Sequence, residues 1–503
     1  MTNTMTTMSK SPSSQKNARR ERLTAITGGT VIAFDGKEHR RIENGVVAYR
    51  GDTVVFVGRR LDEPADETLD ARGKIVIPGL VSAHSHVGTQ SAARLILDEG
   101  RPEFARALFL NFIPTRLGGP TYLDRPDPVE SLRFGMASLI RHGITSVVPF
   151  SPGGPSGGTH VVELADEMGV RLFYSPVTTA GSYHFDERGT IRRVWDEDRG
   201  LRELDRAMAL VSRYDRSSTH QGMVVVDEFE FATPLLLKRA REAAEALGVG
   251  ITLHAAEQVY EFHDSLRRSG RTPIEVLADH GILGPKALIA HCIFVAGHSS
   301  LGHPHGDDIG LLADTGTSVA HCPVVQSRRG YGLESFQRYR DRGVNIALGA
   351  DTWPLDLFAE MRMAAILGKL MDARFDVARS MDVFNAATLG GAHALGRDDI
   401  GRLSPGAKAD IVLVDVDTLT VGPIRDPIQA LVHLANASMV DTVIIAGRTL
   451  LQGKRFVDFD EREVLDTGRT SARADWKAFE ANHWSGRPLD EVFPRAIKDW
   501  SEG

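Results

Sequence analysis

Cysteine is nearly absent: the 503 residues hold two, Cys292 and Cys322, each directly after a histidine. That count excludes a disulfide-braced scaffold and suits a reducing compartment, so a cytoplasmic location is expected. Long apolar runs are missing too. No stretch of about 18 consecutive apolar residues occurs, which argues against a membrane-spanning helix. Positive charge is not in excess: the formal net charge is −7 and no basic stripe stands out, so neither nucleic acid nor a membrane surface is an expected partner. Residues 1–22, rich in Ser, Thr, Met and Lys, lack the apolar stretch of a signal peptide and read as a disordered tail. What is present is a 42% hydrophobic chain, long enough for one large domain and a smaller one.

Both ends are strand-rich. Thr30–Ala33, Gly45–Tyr49 and Thr53–Val57 are short β-branched runs divided by Gly and Asp turns, and Ala409–Asp415 and Thr442–Gly447 repeat that texture. The expectation is a small β-sandwich built from residues 23–76 and 401–455, followed by a charged helical arm over 456–503. The middle, 77–400, alternates instead. Strands are expected over Leu80–His86, Ile144–Phe150, Arg171–Val177, Gly222–Phe231, Ile251–Ala255, Ala287–Val295, Thr317–His321 and Asn345–Ala350, with helical patterns between them. Eight such units give an α/β fold with a parallel sheet, and the number eight favours closure into a (β/α)8 TIM barrel; an open doubly wound sheet is the structural alternative.

A barrel demands that functional groups gather at the C-terminal ends of its strands. The stretch KIVIPGLVSAHSH (Lys74 to His86) delivers two imidazoles, His84 and His86, at i and i+2 on one extended segment, so both can converge on one point. His254 closes the fifth strand with Glu257 three residues later, His291 lies in the sixth, and Asp351 ends the eighth. Each alone could be a satisfied core histidine or a helix cap. Together on four strand ends they form a candidate metal centre.

In this order of ligands the chain resembles the metal-dependent amidohydrolase superfamily, as it does in PGLVSAHSH and the late GRLSPGAKADIVLVD. HAAE at His254–Glu257 is similar to the branch holding aromatic deaminases, triazine hydrolases and phenylurea hydrolases. The resemblance implies one divalent transition metal ion held by His84, His86, His254 and Asp351, zinc foremost, with iron, cobalt or manganese also compatible with that donor set. Binuclear relatives place a carboxylated lysine at the end of the fourth strand, and MVVVDEFEF (Met223 to Phe231) contains no lysine. Catalytic roles are expected for Asp351 as acceptor of the water's proton, His291 as an orienting group, and Glu257 as proton carrier.

The substrate expectation is a small, fairly apolar amide, urea or carbamate whose C–N bond is hydrolysed. It rests on the apolar segment FARALFLNFIP (Phe104 to Pro114) after the first strand, and on Gln326 where deaminases of this branch often have Asn after HCP. Deamination or dehalogenation of a nitrogen heteroaromatic is the alternative, and a metal-free scaffold the alternative of another class. Phe104, His160, His184 and Trp353 are candidate substrate contacts, the two histidines in Gly/Ser-rich loops. The insertion carrying His298, His303 and His305 reads as a lid or a solvated loop. Trp476, Trp484 and Trp500 in the polar C-terminal segment point to a homo-oligomer or to packing on their own barrel.

Overall fold

The computed structural model describes residues 21–89, 100–101, 103, 115–119, 127–214, 219–497 and 499–500. The expected apolar segment 104–114, with Phe104, lies outside the described residues.

A nine-stranded sheet takes its strands from both chain ends. Its order is Arg455–Phe456, Arg448–Gln452, Val440–Ile445, Ile411–Asp415, Lys74–Pro78, Leu23–Phe34, His39–Arg50 and Thr53–Gly58, with Glu67–Asp70 also paired to Leu23–Phe34. The seam between the two ends is the antiparallel pair that runs from Ile411 opposite Pro78 to Asp415 opposite Lys74. This sheet therefore extends to Pro78, two residues beyond the boundary expected from the sequence.

At Gly79 the chain turns out of that sheet and into the core. A Cβ there would lie 2.1 Å from Thr145 Oγ1, so only glycine fits the crossing. Eight core strands follow: β1 Leu80–Ser85, β2 Ile144–Pro149, β3 Arg171–Phe173, β4 Met223–Glu228, β5 Gly250–Ala255, β6 Ala287–His291, β7 Ser318–His321 and β8 Asn345–Leu348. β1 to β3 pair in parallel, as do β4 to β8. Parallel bridges join these groups on both sides: Ser85 with Asp351, and Thr178 with Val226. The two residues His220–Gln221 just ahead of β4 also pair with β3. The architecture is α/β and TIM-barrel-like.

Strand composition explains the curvature. Val81, Ala83, Val225, Leu288, Ala290, Ala320 and Ala347 belong to one buried cluster. Their alternating neighbours Leu80, Val224, Val226, Ile289, Val319, Ile346 and Leu348 belong to another, shared with the helices. Both faces are thus apolar, as a parallel sheet covered by helices requires, and the alanines keep the enclosed side narrow. Helices start where capping residues put them. Thr233 accepts from Leu236 N–H ahead of Pro234, and Thr272 with Glu275 forms a reciprocal box.

One hairpin escapes the sequence reading: Gly181–Phe185 pairs with Ile191–Trp195 after β3. The C-terminal helix Glu461–Asn482 lies over Val129–Arg141, with Gly468 against the Phe134 ring, where a Cβ would come within 2.8 Å. Trp484 stacks on Phe185 of its own chain at 5.3 Å, whereas Trp500 is exposed. Across the seam between sheet and core, Arg171 donates twice to Asp410, Nε to Oδ2 and Nη2 to Oδ1, both at 3.0 Å and both side chains buried. No described helix is long and apolar enough to cross a membrane.

Candidate metal centre

The C-terminal ends of β1, β5, β6 and β8 bring His84, His86, His254, His291 and Asp351 together. Donor atoms of His84, His254 and His291 lie within 4.8 Å of one another, as do those of His84, His86 and Asp351. His86 Nε2 is 3.2 Å from His254 Nε2. Asp351 Oδ1 is 3.9 Å from His84 Nε2 and 3.7 Å from His86 Nε2, and its Oδ2 is 3.9 Å from His291 Nε2. Phe150, at the end of β2, packs against His84 and His254 with ring centroids 4.4 and 4.5 Å away.

The backbone is bent to achieve this. Asp351 and His291 both have positive φ, 49° and 75°, a region that costs a side-chain-bearing residue energy and persists only when its surroundings over-determine it. For Asp351 those surroundings are the histidines themselves: Asp351 N–H donates to His84 O at 3.0 Å and His86 N–H to Asp351 O at 2.6 Å. Gly349 permits that approach, since a Cβ there would meet His84 O at 2.9 Å and Cys322 Sγ at 2.8 Å. On β1 the pairing with β2 is irregular between Ser82 and Ser85, which breaks strict alternation just where the two histidines emerge.

The donor chemistry fits a divalent metal ion. His84 is fully buried, yet neither of its ring nitrogens has a hydrogen-bond partner among the described residues. A buried imidazole left so is costly unless a ligand takes up the lone pair. Burial, and repulsion from the neighbouring imidazoles, push His84 and His86 well below the usual histidine range, and burial lowers His254 to about 4. All three are therefore neutral, as a metal ligand must be. His254 donates from Nδ1 to Asp227 O at 2.6 Å, which leaves Nε2 as the atom facing the cluster.

Glu257 sits beside the cluster, buried, with Oε2 3.5 Å from His291 Nε2 and without a hydrogen bond to any described residue. Its Oε1 accepts from Gln326 Nε2 at 2.8 Å and from Arg329 Nη1 at 3.1 Å. Burial raises Glu257 to about 8 against the opposing pull of Arg329, and burial raises Asp351 to about 6.

Several participants escaped the sequence reading, which noted Gln326 only for standing where Asn is often found after HCP. Gln326 and Arg329 follow the Cys322-Pro323 corner on and just after the short helix Pro323–Arg328; the HCP triplet marks that corner but not which later side chain turns inward. The end of β4 carries three buried carboxyl groups, Asp227, Glu228 and Glu230, with burial the largest cause of their raised pKa values: about 7 for Asp227 and Glu230, and well above the usual range for Glu228. Cys322 is buried near Asp351, its thiol pushed up by burial, and its Sγ lies with donor atoms of His291 and Asp351 within 4.8 Å of one another.

The peripheral candidates are placed differently from expectation. His160 is not in a loop: it lies in the first turn of Thr159–Met168, its Nδ1 2.6 Å from Ser156 Oγ. His184 lies on the unforeseen hairpin strand, its Nε2 2.7 Å from Ser182 Oγ. Their described partners are thus serines outside the cluster. Trp353, two residues past Asp351, lies against Arg328, whose guanidinium carbon is 4.0 Å from the ring centroid. In the insertion His298 is buried against Phe294 and caps the turn Ser299–Leu301 through Nδ1, while His303 packs on Phe262, so this segment is folded onto the barrel.

The TIM-barrel-like core and its cluster of neutral imidazoles with one carboxylate are those of a metal-dependent hydrolase. The amidohydrolase family model matches residues 75–450, and the chain belongs to that family, with deaminase and hydrolase homologues that act on C–N bonds other than peptide bonds. A 5-methylthioadenosine/S-adenosylhomocysteine deaminase from Halobacterium salinarum is 32% identical over 88% of this chain and 95% of its own. One of the same description from Acetivibrio thermocellus is 29% identical over 80% and 87%. Among solved structures, a mutant of atrazine chlorohydrolase from Arthrobacter aurescens, complexed with zinc and atraton, superposes with a TM-score of 0.75 at 23% identity, covering 89% of this chain and 99% of that one.

Proposed function

We propose that the protein is a mononuclear metal-dependent deaminase that hydrolyses the exocyclic amino group of a nitrogen heteroaromatic, with adenosine-type nucleosides the first class to test. The observation that carries this is Glu257: a buried carboxyl, raised to about 8, with one oxygen left bare beside the cluster. Burial favours its protonated form, and a proton held at that atom is what a ring nitrogen needs before water can add to the adjacent carbon. The names of the relatives support the heteroaromatic alternative over the amide, urea or carbamate cleavage expected from the sequence. That earlier expectation leaned on segment 104–114, which lies outside the described residues.

His84, His86, His254 and Asp351 would hold the ion, and zinc is the first choice given three nitrogens and a carboxylate. When bound, such an ion supplies a water activated at neutral pH and polarises the electrophilic carbon. Asp351 accepts a proton from the attacking water at a carboxylate oxygen. His291 orients that water from the facing strand end. Glu257 delivers a proton from Oε2 to the ring nitrogen; the proton taken up by Asp351 passes to the departing amine, and the hydroxyl proton left on the carbon returns to Glu257. Phe150 closes the floor beneath the imidazoles and keeps bulk water from them. The same reading treats the two parallel sheets as one closed (β/α)8 barrel spanning 77–400, seated on the sheet from 23–76 and 401–455, with 456–503 as an arm on Val129–Arg141.

Incubation of the zinc-loaded protein with adenosine, 5'-deoxyadenosine, methylthioadenosine, aminotriazines and phenylureas tests the proposal. Ammonia from a heteroaromatic amine, lost on chelation and restored by zinc, is the expected result. Release of an arylamine with CO2 from a urea, and no ammonia from any heteroaromatic, overturns it.

A further inference from the structure

We infer that Gln326 is a positioning residue that fixes the tautomer of His291, holding the proton on Nε2 so that His291 enters the site as a hydrogen-bond donor and not as a metal ligand. The inference builds on the proposed use of Glu257 and His291, and its test does not require the substrate to be known.

The amide of Gln326 is completely buried. Its Nε2 lies 2.8 Å from Glu257 Oε1 and 3.1 Å from His291 Nδ1. Two orientations of an amide can be drawn, and the neighbours choose between them. Glu257 Oε1 also accepts the Arg329 Nη1–H at 3.1 Å, a charge-assisted bond that keeps that oxygen an acceptor. Any proton Glu257 carries therefore sits on Oε2, the oxygen without a partner. Facing an acceptor at Oε1, Gln326 must present its NH2. The second hydrogen of that NH2 then points at His291 Nδ1, which must be the bare nitrogen of the ring.

The consequence is local and definite. With Nδ1 accepting, the His291 proton is on Nε2, aimed between Glu257 Oε2 at 3.5 Å and Asp351 Oδ2 at 3.9 Å. A ring that carries hydrogen on the nitrogen facing the cluster cannot give that nitrogen's lone pair to a metal ion. This separates His291 from His254, whose Nδ1 donates to Asp227 O and whose Nε2 is left bare. The two rings stack nearly parallel, 5.4 Å apart at 14°, yet carry opposite tautomers because their outer partners differ in polarity. The arrangement has a cost that a purely structural glutamine would not bear: Gln326 Oε1 is buried with no hydrogen bond to any described residue.

The test uses the full chain labelled with ¹⁵N at histidine, with and without zinc. The His291 resonances are assigned by their disappearance in His291→Asn. The wild type is expected to show His291 protonated on Nε2 in both states. Gln326→Glu, of nearly equal volume but with only acceptors, should move the proton to Nδ1; Gln326→Met should leave a mixture. Any ammonia-releasing activity found should fall about 10–100-fold in kcat in both variants, the range typical of lost outer-shell partners, with KM and zinc content unchanged. Wild-type His291 protonated on Nδ1, or a Gln326→Glu variant that keeps the Nε2 tautomer, overturns the inference. Failure of every heteroaromatic substrate would count against the deaminase reading alone, since the tautomer is measured without one. Should Gln326→Met not fold, Gln326→Glu and the wild-type spectrum still decide.

Discussion

Glu257→Gln separates proton transfer from every other contribution of this side chain. In the wild type Oε1 takes two donors, Gln326 Nε2 and Arg329 Nη1, and the glutamine variant can keep both by placing its carbonyl oxygen there. Its NH2 then occupies the position of Oε2, 3.5 Å from the donor Nε2 of His291, where it can donate only toward a substrate atom and cannot exchange a proton at neutral pH. Volume, burial and outer contacts are preserved, and no proposed metal ligand is altered. Loss of general acid–base assistance removes about 10²–10⁴ in rate, which is about 3–5 kcal/mol of transition-state stabilisation. The expected outcome is a kcat lowered by that factor, with KM changed little and zinc content equal to wild type. The pH profile adds a second readout. Glu257, raised to about 8 by burial, donates only while protonated, so wild-type turnover should decline as pH rises through that region, and the variant should lack this alkaline limb. Steady-state kinetics over pH with metal analysis of the same samples decides it. A variant with unimpaired kcat removes Glu257 from the chemistry, and one that loses its metal makes it a ligand.

His84→Ala removes a buried imidazole whose nitrogens have no other partner, so metal content should drop and turnover vanish while the circular dichroism stays native; full metal occupancy would refute the assignment. Arg171→Met leaves Asp410 buried with Ala446 N–H but without its cation, and should destabilise the protein by about 3–5 kcal/mol in denaturant unfolding; a loss below about 1 kcal/mol, the range of an exposed pair, would contradict it. A homo-oligomer is expected in solution from the exposed Trp500 and the arm that bears it, and light scattering giving a clean mass near 54.9 kDa at micromolar concentration would refute that.

Periodicity exposed the core well because its strands are apolar on both faces and its helices begin at strong caps such as Thr233-Pro234 and Thr272. Strand ends were overestimated where the backbone bends: the expected run to Val177 stops at Phe173, and the run to Val295 stops at His291, whose φ is positive. Propensity does not register such a bend, since the tertiary contacts of the site impose it. The hairpin holding His184 was invisible for another reason. Its sequence GSYHF reads as loop, and its pairing with Ile191–Trp195 is what makes it a strand. Histidines and Asp351 were legible because ligand types at strand ends are few. Arg329 and Phe150 were not, and Gln326 was noted only for standing where Asn is often found, because an amide, a guanidinium and a ring acquire their roles from residues distant in the chain.

The seam between Lys74–Pro78 and Ile411–Asp415 also sets a timetable for the ribosome. The strand that leads through Gly79 to His84 and His86 has its antiparallel partner only after roughly 330 further residues have been made. At about 5–20 residues per second that is a delay on the order of 20–60 s. Through that interval the apolar edge of Lys74–Pro78 is unpaired, and the two histidines wait for Asp351, which clamps them from β8. Nascent chains stalled before residue 351 lack one of the four proposed ligands and should therefore bind a divalent ion more weakly than the full chain. On the proposed ligand set, a divalent ion would find all of its donors only once β8 and Asp351 had been made.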